Sequence, residues 1–245
     1  MSVEIIAHRG ASFDAPENTL ASIQLGWQQD ADAVENDVQF SKDGHIVVIH
    51  DDNTRKTAGV RKKVCAQTLA ELKQLDVGRW KDAKWAGERI PTLSEAIATI
   101  PDGKRLFVEI KCGAECLSKF VEDFRASGKT PRQVVPIGFS LETMQQLKRA
   151  LPELEVCWIA EFKRTLRGWS PTAERLIAQA RDAGVDGLDL SGKGPVDAEF
   201  TQKVHGAGLT LYIWTVDSSA LARQLADAGV DGITTNKPAW LRSEM

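Results

Sequence analysis

Short runs of apolar and β-branched residues recur along the chain, and each is followed by a longer segment whose apolar residues have helical spacing. This alternation is typical of repeated βα units, which build parallel sheets. The runs predict eight strands, centred on Glu4–Ala7, Ala33–Phe40, Leu106–Ile110, Val134–Gly138, Glu155–Ile159, Gly187–Leu190, Leu209–Trp214 and Gly232–Thr235.

Two predicted helix-to-strand junctions have nearly the same sequence, Ala183-Gly-Val-Asp-Gly187 and Ala228-Gly-Val-Asp-Gly232, and Asp30-Ala-Asp-Ala-Val34 is a looser copy. In the two close copies a glycine stands where a helix must end before a parallel strand begins. Repeated junctions suit a closed ring of equivalent units, and the length of 245 residues fits a barrel of about 250. We therefore predict a (β/α)8 TIM barrel. The alternative is an open doubly wound sheet, which is disfavoured because no GxGxxG motif follows the first strand.

One connection is much longer than the other links between predicted strands and helices. Roughly 40 residues, from Asp51 to Pro91, separate the second strand region from a helix that begins near Thr92, whereas ordinary βα loops have about 2–6 residues. We predict one barrel domain over residues 1–245, with a small insertion at about 51–91 that partly covers the barrel mouth. Its segment Thr68–Leu75 has the spacing of a short amphipathic helix.

Composition excludes several partners. The 31 Lys and Arg residues against 34 Asp and Glu give a formal charge of −3, so nothing in the net charge attracts nucleic acid. No apolar stretch is long enough for a membrane span, and the N-terminus lacks the features of a signal peptide, which predicts a cytoplasmic protein. The four cysteines have no paired CxxC spacing and are interpreted as reduced thiols.

Acidic residues stand at two predicted strand ends. Glu35 and Asp37 are two positions apart in one strand and therefore share a face, and Glu109 lies near the end of the next predicted strand. Crowded carboxylates repel one another and are costly to bury unless a cation lies among them. The pattern therefore favours a hard divalent ion with oxygen ligands, Mg2+ or Ca2+. The alternative is a solvated strand end with ordinary ion pairs.

A predicted hairpin brings His50 to the same place. The Asp43-Gly44 pair is a strong turn signal between the run that ends at Phe40 and the run Ile46–Ile49. If Phe40 pairs with His45, His50 lies opposite Glu35, and with a two-residue turn it faces Asp37 instead. In either register His50 would lie on the carboxylate face.

The first predicted strand ends in His8-Arg9-Gly10. His8 and His50 make an acid/base pair, because imidazole titrates near neutral pH. Arg9 and Lys111 add positive charge where an anionic substrate needs it, and arginine suits bidentate contact with phosphate. With a divalent ion and a bound phosphodiester, the charges of this site cancel.

At this point the sequence resembles the glycerophosphodiester phosphodiesterase family. The resemblance extends from the first strand to the chain end, and eight motifs in the right order carry it: His8-Arg-Gly-Ala11, Pro16-Glu-Asn-Thr-Leu20, Glu35-Asn-Asp-Val38, Lys42-Asp-Gly44, Val48-Ile-His-Asp51, Ile90-Pro-Thr-Leu93, Glu109-Ile-Lys111 and Trp214-Thr-Val216.

The resemblance implies metal-dependent hydrolysis of a small-molecule glycerophosphodiester to glycerol 3-phosphate and an alcohol. It implies a metal held by Glu35, Asp37 and Glu109, acid/base roles for His8 and His50, and positions near the phosphate for Arg9 and Lys111. It also suggests that Trp214 presents a ring face to the glycerol moiety. The chain departs from the family at Thr235-Asn236-Lys237-Pro238, since Thr-Asp is common there. Any role for a carboxylate at that position is thereby put in doubt.

Several points stay open at this level. Glu17 is read equally well as part of a helix start, with Asn18 or Thr19 as the cap, and as a chemical group. Asp189, near the end of the sixth strand, is a further candidate. The alternative functions are a phospholipase D-like phosphodiesterase or lyase on lysophospholipids and a non-catalytic phosphodiester-binding barrel. The sequence does not decide which histidine is the acid, whether water or a glycerol hydroxyl attacks, or whether the protein forms a homo-oligomer.

Overall fold

The computed structural model describes residues 3–166 and 168–245. Its strands are β1 (Glu4–Ala7), β2 (Ala33–Phe40), β3 (Ile46–Val48), β4 (Arg105–Ile110), β5 (Val134–Gly138), β6 (Cys157–Ala160), β7 (Lys163–Thr165), β8 (Gly168–Ser170), β9 (Gly187–Ser191), β10 (Thr210–Trp214) and β11 (Gly232–Thr235). Its α-helices are α1 (Leu20–Gln28), α2 (Arg55–Ala58), α3 (Leu69–Leu72), α4 (Leu93–Ala98), α5 (Leu117–Ala126), α6 (Leu141–Ala150), α7 (Ala173–Ala183), α8 (Ala198–Gly206), α9 (Ser219–Asp227) and α10 (Pro238–Glu244). No helix within these residues is long and apolar enough to cross a membrane.

Eight parallel strands close into a barrel in the order β1, β2, β4, β5, β6, β9, β10 and β11. The ring closes because β1 pairs with β11 on one side and with β2 on the other. The predicted (β/α)8 barrel is therefore confirmed, and the open doubly wound alternative is wrong. All eight predicted strands are present, although the fifth begins at Cys157 and not at Glu155.

The repeated junctions have one structural design. Gly184 ends α7 with φ 71°, and Gly229 stands at the equivalent point after α9 with φ 85°, a left-handed conformation that glycine adopts without strain. The aspartate that follows accepts a hydrogen bond from the neighbouring strand: Asp186 from the N–H of Val156 at 2.8 Å and Asp231 from that of Leu211 at 2.7 Å. In the looser copy Asp32 accepts from the N–H of Ile5 at 2.9 Å. The repeated sequence thus corresponds to a repeated hydrogen bond, in which the aspartate side chain accepts from a backbone N–H of the neighbouring segment.

The hairpin after β2 has a register that neither sequence alternative anticipated. Phe40 pairs with Ile46, and the N–H of Ser41 donates to the carbonyl of His45 at 2.8 Å, which leaves a three-residue turn. In this register His50 would lie opposite Asn36, which is on the other face of β2 from Glu35 and Asp37. However, β3 ends at Val48, and after a last bond from the Ile49 N–H to the Asp37 carbonyl at 2.9 Å the chain leaves the sheet, so His50 still reaches the barrel mouth.

The segment from Asp51 to Pro91 contains α2, α3 and short 3-10 turns. The predicted helix over Thr68–Leu75 is shorter in the structure, where α3 ends at Leu72; Thr68 caps it through a capping box with Glu71. A small apolar cluster, separate from the barrel core, anchors the segment; its buried members are Val47, Ile49, Val64, Leu72, Val77 and Ile90. The segment therefore packs on the C-terminal ends of the strands, beside His50.

Candidate active site

Three carboxylates meet at the C-terminal end of the barrel. Asp37 of β2 is in register with Glu109 of β4, and Glu35 lies two positions earlier on the same face of β2. One oxygen from each residue lies within 4.8 Å of the other two. The Asp37 side chain is fully buried, and those of Glu35 and Glu109 are only 5% and 12% exposed. The strand periodicity thus placed all three residues correctly.

Their crowding perturbs how the three carboxyl groups ionise. Burial and the charges of Asp37 and Glu109 raise the pKa of Glu35 well above its ordinary value. Burial and Asp37 raise the pKa of Glu109 to about 7. Burial also opposes ionisation of Asp37, but Arg9 and Lys111 outweigh it and lower the pKa of that carboxyl to about 2. Without further positive charge, ionisation of Asp37 is therefore favoured over ionisation of Glu35 and Glu109.

The cluster fits a divalent cation. Within the described residues, Oε1 of Glu35 and Oδ1 of Asp37 are buried without a hydrogen-bond partner, although Nζ of Lys111 lies 3.3 Å from the latter. Buried anionic oxygens without partners are costly. Oxygen ligands lie about 2.1 Å from Mg2+ and about 2.4 Å from Ca2+, so two oxygens on one ion are at most about 4.2 Å apart for Mg2+ and about 4.8 Å apart for Ca2+. The observed spacing, within 4.8 Å, meets the condition for Ca2+.

Arg9 and Lys111 border the carboxylates. Nε of Arg9 lies 3.1 Å from Oδ2 of Asp37, and Nζ of Lys111 lies 2.7 Å from Oε1 of Glu109. The Arg9 N–H also donates to Oε2 of Glu35 at 2.9 Å. Arg9 has a φ of 56° and is followed by Gly10, where a Cβ would approach the backbone of Ser22 to 2.4 Å. The turn that aims Arg9 at the cluster therefore requires glycine at position 10.

Residues Glu17 and Asn18, left open by the sequence, support this arrangement from outside the cluster. Asn18 donates to Oδ2 of Asp37 at 2.8 Å and accepts from the N–H of Asp37 at 3.1 Å, while Thr19 is the helix cap. Glu17 accepts from Arg9 at 3.0 Å and pairs with Lys56 of the insertion at 2.7 Å. Lys56 of the segment Asp51–Pro91 is thus joined to Arg9 of the site through Glu17. The basic composition of the segment did not predict these ion pairs.

His8 is held in one tautomer by Asn236. The Asn236 amide nitrogen donates to Oδ2 of Asp217 at 2.6 Å, so its oxygen faces His8 and accepts from Nδ1 at 2.8 Å. The other ring nitrogen, Nε2, then carries a lone pair and lies 4.0 Å from Oε2 of Glu35. Burial and the neighbouring Arg9 lower the pKa of His8. The geometry is that of a neutral imidazole able to accept a proton at Nε2.

His50 has a different environment. Its Nδ1 lies 2.7 Å from Oδ1 of Asp51, a carboxylate that can only accept a hydrogen bond, and one third of its side chain is exposed. The backbone carbonyl of His50 accepts from the Gln39 amide at 3.1 Å. The Asp51 carboxylate thus holds the ring by accepting a hydrogen bond from Nδ1.

A pocket of about 270 Å³ joins these residues to an apolar wall. Trp214 lies on that wall, where its indole N–H donates to the backbone carbonyl of Asp189 at 3.1 Å and its ring meets the edge of Phe139. A larger cavity of about 690 Å³ lies at the opposite end of the barrel, around Arg105 and Glu155, and contains none of the predicted site residues. Because βα loops carry the chemistry of such barrels, we assign the site to the smaller pocket.

The fold and this pocket define a (β/α)8 barrel whose mouth places two basic side chains beside clustered carboxylates. The family model for the glycerophosphoryl diester phosphodiesterase family matches residues 8–240. The chain belongs to this family.

Individual proteins similar to this chain support the same family assignment. A glycerophosphodiester phosphodiesterase of Bacillus subtilis is 30% identical over 249 residues, which cover 95% of this chain and 83% of the relative. One from Caldanaerobacter subterraneus is 37% identical over 164 residues, 64% of this chain and 66% of that protein. An Oleispira antarctica phosphodiesterase, solved in complex with the product sn-glycerol 3-phosphate, is 31% identical, covers 99% of this chain and 96% of its own, and superposes with a TM-score of 0.87.

Proposed function

We propose that this protein hydrolyses glycerophosphodiesters to glycerol 3-phosphate and an alcohol, with a divalent metal ion held by Glu35, Asp37 and Glu109. One observation carries the proposal: these three buried carboxylates converge within 4.8 Å beside two histidines and two cations. Membership of the family supports the reaction, and the glycerol 3-phosphate named as product in the Oleispira complex supports the product.

When bound, the ion would supply Lewis-acid stabilisation of charge on the phosphoryl oxygens, and the oxygen-only ligand set suits Mg2+ or Ca2+. Arg9 and Lys111 would bind the phosphate from the same side, since each has N–H donors beyond those that the carboxylates occupy. Their charges and the ion together balance the three carboxylates and a phosphodiester.

The histidines divide the proton transfers. We assign His8 as the general base, because its Nε2 faces the cluster with a free lone pair while Asn236 holds Nδ1. His50 is then the general acid that protonates the departing alkoxide, with Asp51 orienting its ring through Nδ1. This division serves both an attacking water and a neighbouring glycerol hydroxyl. Trp214 covers the carbon skeleton of the glycerol moiety from the apolar wall.

Release of glycerol 3-phosphate from glycerophosphocholine by the purified protein, in Mg2+, in Ca2+ and in EDTA, tests the proposal. Turnover that requires a metal supports it, and the absence of turnover in both metals contradicts it.

A further inference from the structure

Another carboxyl group lines the pocket outside the cluster of Glu35, Asp37 and Glu109. Asp189, in the middle of β9, is only 3% exposed and lines the pocket together with Trp214 and Ile159. Among residues 3–166 and 168–245, no group hydrogen-bonds its Oδ1. It belongs to none of the ion pairs that hold the cluster. The proposed chemistry therefore leaves Asp189 without a function.

The unpartnered oxygen of Asp189 lowers the stability of the folded protein, because burying a carboxyl oxygen without a hydrogen bond is destabilising. Burial and the charge of Glu109 raise the pKa of Asp189 well above its ordinary value. A carboxyl group accepts a hydrogen bond in either protonation state, and it also donates one when protonated. A hydroxyl group satisfies Asp189 in both cases.

The shape of the pocket indicates which part of the substrate would supply that hydroxyl. A neighbouring cleft of about 420 Å³ shares Phe139, Ile159 and Glu161 with the active-site pocket and does not include Asp189. The cleft gives room for leaving alcohols of different size. Asp189 lies instead beside the Trp214 ring, in a pocket of about 270 Å³ that suits a small fragment of constant structure.

We propose that Asp189 is a specificity-determining residue that hydrogen-bonds a hydroxyl group of the glycerol moiety while Trp214 packs on the adjacent carbons. This inference rests on the proposed function, because it takes a glycerophosphodiester as the substrate. It places the glycerol fragment against Asp189 of β9 and Trp214 of β10. The leaving alcohol then lies on the side of Phe139 and Glu161.

Binding of three phosphate monoesters, measured by titration calorimetry in saturating Mg2+ or Ca2+, tests the inference independently of turnover. The ligands are glycerol 3-phosphate, propane-1,3-diol phosphate and propane-1,2-diol 1-phosphate, of which the last two each lack one hydroxyl. We expect the wild type to bind glycerol 3-phosphate about 10- to 100-fold more tightly than at least one analogue. In Asp189→Leu and Asp189→Ala that preference should fall to about threefold or less.

The matched control is Glu161→Gln, which changes a carboxylate on the alcohol side of the same pocket and should keep the preference. The alanine variant covers the case in which leucine cannot be accommodated. A wild type without preference, or an unchanged preference in both Asp189 variants, overturns the inference. If the wild type shows the preference but releases no glycerol 3-phosphate from a diester, the proposed function fails and the glycerol site stands.

Discussion

Oδ1 of Asn236 lies 2.8 Å from Nδ1 of His8 and thereby determines which nitrogen of the histidine faces the carboxylate cluster. The amide cannot turn over without losing its bond to Asp217, whose carboxylate accepts from the Asn236 side chain and from its backbone N–H at 2.9 Å. Here the amide orients the imidazole without placing a negative charge beside it.

This relationship predicts a pH dependence. Burial and Arg9 lower the pKa of His8. The fall of kcat/KM at acid pH (its acid limb) should therefore have an apparent pKa below the ordinary histidine value of 6.5. Asn236→Asp places a carboxylate at Nδ1, which favours the imidazolium, so the limb should move upward by about one pH unit or more. The measurement is kcat/KM between pH 5 and 9. Ser12→Ala is the control, since it removes an uncharged hydrogen bond to Oδ1 of Asn236 and should leave the limb in place. An acid limb that does not move in Asn236→Asp would refute the assignment of His8 as base.

The carboxylate cluster predicts how stability depends on pH and metal. The pKa of Glu109 is raised to about 7 in the folded protein from an ordinary 4.5, so folding takes up a proton in this range. The contribution of Glu109 is present below pH 4.5 and is lost as the pH rises to about 7. In EDTA the melting temperature should therefore fall across this window.

Saturating Mg2+ or Ca2+ should stabilise the protein increasingly across the same window, because the ion binds the ionised carboxylates. Glu4 at the other end of the barrel also has a pKa raised to about 7, so the informative quantity is the difference between the curves with metal and with EDTA. Glu35→Gln should abolish most of that difference. A metal-induced shift that is equally large at pH 5 and pH 8 would argue against a carboxylate site.

Asn18 should control metal affinity without contacting the ion. Its side chain bonds both the carboxylate and the N–H of Asp37, and residues that orient ligands in this way change metal affinity about 10- to 100-fold. Asn18 also has a φ of 59°, which disfavours alanine. We expect Asn18→Ala and Asn18→Gly to lose metal affinity by similar factors, and the glycine variant to be the more stable of the two. Calorimetric titration with Ca2+ and thermal melts measure the two effects. Metal affinity retained in both variants would show that Asn18 does not orient Asp37.

The barrel and the residues on its strands could be predicted because they follow from local periodicity. Glu35 and Asp37 share a face since side chains alternate along a strand, and parallel strands bring Glu109 to the same edge. The hairpin register was wrong because the turn signal at Asp43-Gly44 fits several loop lengths that differ by one residue. His50 reaches the pocket because the chain leaves the sheet after the bond from Ile49 to Asp37.

The supporting contacts could not be predicted because each joins segments that are distant in sequence. His8 and Asn236 are 228 positions apart, and Lys56 reaches Glu17 across 39. Asp189 was recognisable as a polar residue in an apolar strand, but only the fold shows that its oxygen lacks a partner beside Trp214. Local patterns thus predicted which residues meet at the barrel mouth, and tertiary contacts show which residues orient them.

The most direct test is a glycerol 3-phosphate release assay with glycerophosphocholine and glycerophosphoethanolamine, using wild type, His8→Ala and Glu35→Gln in Mg2+, Ca2+ or EDTA. We predict turnover with at least one metal, none in EDTA, and losses of about 100-fold or more in both variants. Circular dichroism should show that both variants are folded. Equal turnover in EDTA, or no turnover by the wild type with either metal, would contradict the account and direct the search to lysophospholipids or to a barrel that only binds.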